Sequence, residues 1–229
     1  LDAPIAEEFT RRFLAATQAI TIGDPLKYPD VLYGPFINER FFNSWQAHYD
    51  WGKADGATLL YGKGRITRES KPSGFQGDPT AAFYGWPTIW ADVQPGMQLF
   101  QKEVFGPTIN LVRVNGIDEA IEAANSVDYG LSSACYTNNR EWAYQFKERI
   151  QAGMSSINNS TTGAEAHMPF GGVKGSGNGT RESGIWVIES YTYWHAVNDD
   201  ISGKLQLAQM DTDYIAPKSP FSVAEIDGV

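Results

Sequence analysis

Short apolar stretches alternate with amphipathic helical stretches through the middle of the chain, and this alternation is the strongest constraint on its fold. In one of the helical stretches Trp142, Phe146 and Ile150 recur four residues apart, on one helical face. The predicted strands are 87–91, 108–114, 131–136 and 154–157, and the predicted helices are 118–125 and 140–150. Strands that alternate with helices are typical of parallel strands joined by crossover helices. We therefore predict an α/β fold with an open parallel sheet.

The first third of the chain predicts further elements of the same domain. Apolar residues at three- and four-residue steps predict a helix over 4–21, with Asp2 as its N-cap, and a second helix over 38–54. A strand is predicted over 58–61. Residues 62–80 hold four Gly and two Pro with little periodicity, which predicts a surface loop. Because strands and helices resume after this loop, we assign residues 1–190 to a single domain.

The charge balance argues against two classes of partner. The formal net charge is −9, from 18 basic and 27 acidic residues. Nucleic acids and anionic membranes both require a basic face, so we expect no binding to either. The sequence has no run of 18 apolar residues, so no spanning helix is predicted.

The cysteine and histidine content bears on compartment and metals. A single cysteine, Cys135, cannot form an intrachain disulfide and fits a reducing compartment, so a cytoplasmic location is expected. The three histidines, His48, His167 and His195, lie far apart and lack carboxylates at ligand spacing. The sequence therefore predicts no metal site.

Three motifs in the second half of the chain carry a family resemblance. They are Glu103-Val-Phe-Gly-Pro107, Tyr129-Gly-Leu131 and the glycine-rich Met168-Pro-Phe-Gly-Gly-Val-Lys-Gly-Ser-Gly177. Together with the run 83–93, and in this order, they resemble the C-terminal, catalytic half of the aldehyde dehydrogenase superfamily. The resemblance is almost continuous from residue 83 to about 209. One departure is Lys102, where the family usually has a first acid before the one kept as Glu103.

The resemblance implies a nicotinamide cofactor, NAD or NADP. Glu103 would hold the ribose by accepting hydrogen bonds from its hydroxyls, and Phe105 would lie against the ribose and nicotinamide as an apolar wall. The alternative for Glu103 is a surface or helix-end salt bridge. The sequence does not distinguish NAD from NADP.

The resemblance also implies a small aldehyde as the substrate. Gly163 and Ala164 would lie in the loop that anchors its distal end, since small residues let backbone N–H groups approach a carboxylate. Phe170 would line the aldehyde tunnel. The alternative for Gly163 and Ala164 is a plain turn, and the alternative for Phe170 is an aromatic residue of the core. His167 in the same loop is interpreted as structural. The stretches 163–170, 177–182 and 202–206 are most similar to the branch that oxidises amino-acid-derived semialdehydes.

The thiol nucleophile of such an enzyme is absent from every matching position, so no catalytic residue is assigned. Oxidation of an aldehyde in this family needs a thiolate that forms a hemithioacetal. Cys135 lies on a predicted strand with no activating neighbour and is interpreted as a buried packing residue. The resemblance places the nucleophile about one short strand before Leu1, and the cofactor-binding domain further upstream.

Two functional hypotheses follow from this absence. In the first, the chain is the C-terminal catalytic-domain portion of an aldehyde dehydrogenase. It would be inactive in isolation and completed by a longer chain or by an N-terminal cofactor-binding half. In the second, the chain is a non-catalytic remnant that oligomerises or binds a partner. A related reductase of acyl phosphates is a third interpretation. It should not keep the glycine-rich motif so completely.

The end of the chain predicts an oligomer. A helix near 182–189 is followed by the aromatic run 191–197, which we predict to be a strand, and such a strand is an aggregation hazard if it stays unpaired. The resemblance implies that it pairs with a neighbouring subunit, so residues 191–210 are assigned as an oligomerisation strand with its following segment in a homo-oligomer. A hairpin within one subunit is the alternative. Residues 211–229 predict an extended tail.

Overall fold

The computed structural model describes residues 1–163, 165–199 and 201. The chain divides into a compact unit, Leu1–Val187, and a second unit that begins at Ile188. The helices are α1 (Ala3–Gln18), α2 (Glu39–Gln46), α3 (His48–Asp55), α4 (Gln98–Gln101), α5 (Gly116–Asn125), α6 (Arg140–Arg149) and α7 (Val187–Tyr191). The strands are β1 (Thr58–Tyr61), β2 (Thr88–Ala91), β3 (Thr108–Asn110), β4 (Ser132–Cys135) and β5 (Met154–Ile157). Among the described helices, none has the length and apolar character that crossing a membrane requires.

The strands form two small sheets, and the predicted α/β fold with parallel strands is confirmed. In the first sheet, ordered β1-β2-β3, β2 and β3 are parallel, with α4 in their connection. In the second, β4 and β5 are parallel, with α6 as the crossover helix. The prediction did not include the antiparallel pairing of β1 with β2, nor the division of the strands between two sheets.

Helix α1 begins where the sequence predicts, but its N-cap residue has a different role. Asp2 occupies the N-cap position, yet its carboxylate does not cap α1. It accepts a hydrogen bond from the Gly116 backbone N–H at 2.9 Å, at the start of α5. Asp2 therefore joins the amino ends of two helices that lie 114 residues apart in sequence.

The predicted helix over 38–54 is in fact two helices, which meet at Ala47. The Asn38 side chain caps α2 by accepting from the Phe41 N–H. At the break, the Trp45 carbonyl accepts from the Ala47 N–H and is also bound by Nδ1 of His48. The Ala47 N–H also donates to the Asn43 carbonyl at 3.2 Å, the spacing of a regular α-helix, so the interruption is confined to this one residue.

The prediction of a surface loop over 62–80 is wrong for four of its residues, the buried Ile66, Pro72, Phe75 and Pro79. The segment has no helix or strand, but Ile66 and Phe75 are buried. They form one hydrophobic core with Ile22, Tyr84 and Trp86. Each such side chain contributes about 1.5–3 kcal/mol when fully buried, which is enough to hold an irregular segment against the sheet.

A second core lies under the first sheet and is mostly aromatic. Trp90, Val93 and Leu99 are buried together, and Trp45 and His48 are also fully buried. The rings of His48 and Trp90 meet edge to face, with centroids 6.1 Å apart. This core fixes α2 and α3 on the sheet.

The carboxyl end differs from the prediction. The predicted helix near 182–189 is a 3₁₀ turn, Gly184–Trp186, followed by α7. The predicted strand over 191–197 does not form: Tyr191 ends α7, and residues 192–199 belong to no helix or strand. A strand needs a partner strand, and residues 192–199 pair with none in the part of the chain that the structure describes.

Several assignments near the carboxyl end stay predictions. Residues 202–229, which include the predicted tail, lie outside the described residues, as does Ala164. The domain assignments 1–190, 191–210 and 211–229 therefore stay predictions.

The buried His48 predicts acid-sensitive stability. Burial lowers the pKa of His48, and the Trp45 carbonyl opposes this shift only in part. In the unfolded chain the pKa returns to about 6.5, so below that pH the unfolded state binds the extra proton. The contribution of neutral His48 to the free energy of unfolding is fully present above pH ~6.5. It decreases as the pH is lowered, by at most about 1.4 kcal/mol per pH unit. Denaturant unfolding at pH 5–7.5 should therefore show a shallower pH dependence in His48→Asn.

Tyr49→Phe is the matched control for this experiment. Tyr49 packs on His48 with ring centroids 4.2 Å apart and hydrogen-bonds Thr88, and burial raises its pKa above the tested range. Loss of the Tyr49 hydroxyl should lower the free energy of unfolding without changing how steeply that free energy depends on pH. Equal slopes in His48→Asn and the parent protein would contradict a buried neutral imidazole.

Candidate functional site

A cleft of about 510 Å³ is lined by residues from three of the motifs singled out in the sequence. One wall carries Lys102, Glu103 and Val104, and the other carries Tyr129, Gly130 and Leu131. Ser176 of the glycine-rich motif also lines it. Three segments separated by 25 to 75 residues in sequence thus converge on one space.

Glu103 is exposed at this cleft, and its carboxylate makes no hydrogen bond or ion pair with any described residue. The neighbouring Lys102 is turned to other partners: its Nζ donates to Oε1 of Gln98 at 2.9 Å and lies 4.9 Å from the Trp51 ring centroid. The alternative of a salt bridge at Glu103 therefore finds no partner within the described chain. A free carboxylate at a cleft can accept hydrogen bonds from a ligand.

Phe105 is 70% exposed, although the backbone around it is firmly held. A Cβ on Gly106 would lie 2.2 Å from Cδ1 of the buried Trp45 ring, so only glycine fits there. The Pro107 carbonyl accepts from the Thr88 N–H at 2.8 Å, next to the start of β3. The fold thus presents a large apolar side chain to solvent from an anchored turn.

The glycine-rich motif binds the carboxyl end of α5. Nζ of Lys174 donates to the carbonyl oxygens of Asn125, at 2.6 Å, and Val127, at 3.0 Å. The Gly175 N–H donates to the Asp128 carbonyl at 2.9 Å. A cation suits the last carbonyls of a helix, which carry partial negative charge. Lys174 has a φ of 52°, a left-handed conformation unusual for a residue with a side chain, and these contacts hold it.

The same motif fixes Gly130 in the wall of the cleft. The Gly130 N–H donates to Oγ of Ser176 at 3.0 Å, and its carbonyl accepts from the N–H groups of Gly153 and Val173, each at 2.9 Å. A Cβ at Gly130 would lie 2.6 Å from the Gln151 carbonyl oxygen. Sequence reasoning missed this scaffolding role. The Lys-x-Ser spacing in the motif was the available signal, but it does not reveal its distant partners.

The residues predicted to bind substrate do not line this cleft. Phe170 is half-buried, and its backbone pairs with Glu182 through two hydrogen bonds of 2.6 and 2.7 Å. Gly163 is exposed, with nothing within 4 Å of an added Cβ. Ala164 lies outside the described residues. The structure therefore unites Glu103 with 129–131 but leaves Gly163 and Phe170 apart from them.

Cys135 lacks the surroundings of an activated thiol. It lies on β4 and is half-buried, where full burial was predicted. Burial raises its pKa, which lowers the thiolate fraction at neutral pH. In the part of the chain that the structure describes, no group of three or more His, Cys, Asp or Glu residues is placed to hold a metal ion.

Comparison with known proteins agrees with this arrangement. The sequence profile of the aldehyde dehydrogenase family matches residues 1–197. The chain belongs to the aldehyde dehydrogenase family. The family predicted from the motifs is thus confirmed.

Curated relatives are similar over most of this chain. An alpha-ketoglutarate semialdehyde dehydrogenase of Haloferax volcanii is 33% identical over 196 residues, covering 85% of this chain and 38% of the relative. An alpha-ketoglutaric semialdehyde dehydrogenase of Bacillus subtilis is 36% identical over 188 residues, covering 82% of this chain and 37% of that relative. The chain therefore spans less than two fifths of the length of these relatives. Both names agree with the predicted resemblance to the semialdehyde-oxidising branch.

Solved structures show the same fold. A structure from Burkholderia cenocepacia assigned to the aldehyde dehydrogenases aligns with a TM-score of 0.76 at 32% identity, covering 84% of this chain and 37% of that one. Betaine aldehyde dehydrogenase of Staphylococcus aureus, solved in complex with NAD+, aligns with a TM-score of 0.73 at 28% identity, covering 83% and 36%. The described elements are thus those of an aldehyde dehydrogenase.

The scaffolding role of Lys174 in this aldehyde dehydrogenase chain is testable. Lys174→Met keeps the aliphatic stem but removes both hydrogen bonds to the end of α5. We expect a loss of about 1 kcal/mol in the free energy of unfolding, at the low end for charged donors because the amine is exposed. The Gly130 amide should also exchange its hydrogen faster, since Ser176 loses its anchor.

The matched control is Lys71→Met, at an exposed lysine of the segment 62–80 for which no hydrogen bond or ion pair is found. It should change neither quantity. An unchanged exchange rate of Gly130 in Lys174→Met would show that the motif does not hold the cleft wall.

Proposed function

We propose that this chain forms part of the catalytic domain of an NAD(P)-dependent aldehyde dehydrogenase, which oxidises an aldehyde to a carboxylate. The observation that carries the proposal is the convergence of Glu103 and residues 129–131 on one cleft, with the exposed Phe105 two residues after Glu103 in sequence. The half-buried Cys135 is not suited to be the nucleophile, so the thiol would come from outside this sequence. The chain by itself would then not turn over substrate.

The residues at the cleft fit a nicotinamide cofactor. The Glu103 carboxylate is exposed and has no described partner, so it is available to accept hydrogen bonds from ribose hydroxyls. The exposed Phe105 ring offers an apolar surface for the ribose and nicotinamide. The related betaine aldehyde dehydrogenase of S. aureus has been solved with NAD+, which supports this assignment. The cofactor would supply the hydride acceptor.

The chain's own residues would orient the cofactor and exclude water. The Glu103 carboxylate would accept hydrogen bonds from two ribose hydroxyls, which would limit rotation of the ribose. The Phe105 ring would cover the adjoining apolar surface of the cofactor. The anchored turn at Gly106 and Pro107 keeps both side chains at a fixed position. The wall at 129–131, held by the glycine-rich motif, closes the opposite side.

For the substrate we propose an aldehyde that bears a carboxylate at its far end. The two semialdehyde dehydrogenases among the relatives support this class. Gly163 and Ala164 would approach the distal carboxylate with their backbone N–H groups, and Phe170 would line the path to the reacting carbonyl. The exposed position of Gly163, with no atom near an added Cβ, leaves room for such an approach.

The cofactor role of Glu103 is testable in the complete enzyme, with its thiol-bearing portion. Glu103→Gln keeps the size of the side chain but replaces one acceptor oxygen by a donor. We expect KM for the nicotinamide cofactor to rise about tenfold, which corresponds to about 1.4 kcal/mol and to the loss of one charge-assisted hydrogen bond. The rate of thiol alkylation by iodoacetamide should stay unchanged.

Glu148→Gln is the matched control, because Glu148 is an exposed acid on α6 that does not line the cleft. Its cofactor kinetics should equal those of the parent enzyme. Cofactor kinetics of Glu103→Gln that equal those of Glu148→Gln would remove Glu103 from the site.

The alternative is a non-catalytic remnant or subunit that acts in oligomerisation or partner binding. The side chains of Tyr193 and Trp194, which are 89% and 90% exposed, favour an interface at the carboxyl end under either proposal. We propose a homo-oligomer in which this aromatic segment meets a neighbouring subunit. The two proposals differ in whether the assembled protein oxidises aldehydes.

The interface is tested by Tyr193→Asp. A carboxylate in an apolar contact is costly to bury, so the mean particle mass measured by light scattering should fall toward the monomer. Tyr144→Asp, at an exposed tyrosine of α6, is the control that should keep the parent mass. An oligomer of unchanged mass in Tyr193→Asp would exclude this segment from the interface.

A further inference from the structure

The chain holds two Asn-Gly pairs, Asn115-Gly116 and Asn178-Gly179, whose surroundings in the structure are opposite. An asparagine followed by glycine is prone to self-modification, because glycine has no side chain to keep its backbone nitrogen away from the preceding side-chain amide. In this reaction the glycine nitrogen attacks Cγ of the asparagine. Three groups therefore decide whether a pair reacts: the attacking N–H, the amide oxygen, and the amide nitrogen that leaves.

At Asn178 the attacking N–H is free and the amide oxygen is bound. Oδ1 of Asn178 accepts from the Thr180 N–H at 3.1 Å and from the Thr180 hydroxyl at 2.7 Å. Because a backbone N–H needs an acceptor, this contact identifies the side-chain oxygen. The Gly179 N–H donates to no described residue, and Gly179 is exposed, with a φ of 96° and nothing within 4 Å of an added Cβ.

The contacts of Thr180 favour the attack in two ways. The hydrogen bond from its N–H closes a ring that contains both Cγ of Asn178 and the Gly179 nitrogen, and so keeps the two reacting atoms close. During the attack, negative charge develops on Oδ1 of Asn178, and both Thr180 donors already point at that atom. The amide carbonyl is therefore activated in the folded chain.

At Asn115 the same groups have the opposite contacts. The Gly116 N–H donates to Oδ1 of Asp2 at 2.9 Å, and the negative charge of this carboxylate disfavours loss of the proton. Nδ2 and the backbone N–H of Asn115 both donate to Oε2 of Glu119, at 3.1 and 2.7 Å. The amide oxygen of Asn115 accepts from no residue that the structure describes. Asp2 thus holds the attacking nitrogen, and Glu119 holds the side chain.

We propose that Asn178 is a site of self-modification, and that Asp2 and Glu119 protect Asn115 from the same reaction. The Gly179 nitrogen gives its proton to water and bonds to Cγ of Asn178. The bond from Cγ to Nδ2 breaks, Nδ2 takes up a proton and leaves as ammonia, and a succinimide ring remains. Water then opens the ring, at Cγ to give aspartate or at the backbone carbonyl to give isoaspartate. Water is the one co-reactant, and no group is oxidised or reduced.

Isoaspartate would change the loop that holds the wall of the cleft. Asn178 lies between Ser176, whose Oγ accepts from the Gly130 N–H at 3.0 Å, and Arg181, whose Nη1 donates to the Gly172 carbonyl at 3.2 Å. The backbone of isoaspartate runs through Cβ and Cγ, so this short span gains one methylene group. Aspartate adds only a negative charge at an exposed position. Isoaspartate therefore moves Ser176 relative to Gly130, and the inference does not depend on the proposed enzymatic function.

The test incubates the full chain in mildly alkaline buffer and measures the modification of both asparagines by peptide mapping with mass spectrometry. Each rate is divided by the rate of the same asparagine in the chain unfolded by denaturant, which removes the influence of sequence neighbours. We expect this ratio to be at least about tenfold higher at Asn178 than at Asn115. Isoaspartate among the products is the signature of the ring, since direct hydrolysis of the amide gives only aspartate.

Two variants separate the contributions of the contacts. Thr180→Val removes the hydroxyl donor but keeps the side-chain shape, and should slow the reaction at Asn178 about fivefold, less than in a buried oxyanion site because water competes. Thr161→Val is its matched control, at an exposed threonine whose hydroxyl bonds to no described residue, and should change neither rate. Asp2→Ala frees the Gly116 N–H and should speed the reaction at Asn115 alone.

Equal ratios at the two asparagines, a higher ratio at Asn115, or products without isoaspartate would each overturn the proposal. An unchanged rate at Asn178 in Thr180→Val would overturn activation by Thr180, and an unchanged rate at Asn115 in Asp2→Ala would overturn protection by Asp2. In the isolated isoaspartate form, the Gly130 amide should exchange its hydrogen faster than in the fresh protein. An equal exchange rate would overturn the link to the cleft wall.

Discussion

The hydrogen bond from the Trp45 indole N–H to the Thr108 hydroxyl, 2.8 Å long, joins the helical layer to the strand that carries the site. Trp45 is 1% exposed and packs against the rings of Phe36, Phe42, His48 and Tyr49. Its ring lies directly against Gly106. The position of the indole therefore decides where the turn before β3 runs, and with it where Glu103 and Phe105 are presented. The site depends on an aromatic cluster that no ligand would touch.

The parts of the fold that follow from local pattern were predictable. Helix α6 was predicted over 140–150 and observed as Arg140–Arg149, and β5 was predicted with its observed bounds. In α6 the apolar residues recur at the period of a helix, whereas β5 is a four-residue stretch with an apolar residue at each end. The antiparallel pairing of β1 and the burial of Ile66 and Phe75 were not predictable in this way. Both depend on contacts between residues far apart in sequence, which a local pattern does not encode.

The site also has features that the sequence predicts and features that depend on residues far apart in sequence. The motifs identified Glu103 as a cofactor-binding residue and residues 129–131 as the start of a strand, and both line one cleft of the structure. Their convergence was not predicted, because nothing in the spacing of two short motifs fixes the distance between them in the fold. The role of Lys174 was missed because its partners lie 47 and 49 residues away. The predicted strand over 191–197 does not form within the described chain, and the family resemblance implies that it would pair with a neighbouring subunit.

The distribution of hydrogen bonds separates the scaffold from the groups that could meet a ligand. At Gly130, Gly175 and Pro107, backbone groups are bonded within the protein, and each bond fixes a wall of the cleft. The Glu103 carboxylate, in contrast, has no described partner, and Phe105 leaves most of its ring in solvent. A carboxylate already paired with an arginine or lysine would have to lose that partner before it could accept a ribose hydroxyl, and the lost pair would offset the binding energy. The diversion of Lys102 toward Gln98 and Trp51 avoids this cost, so the departure from the two-acid pattern at that position is compatible with a working carboxylate at Glu103.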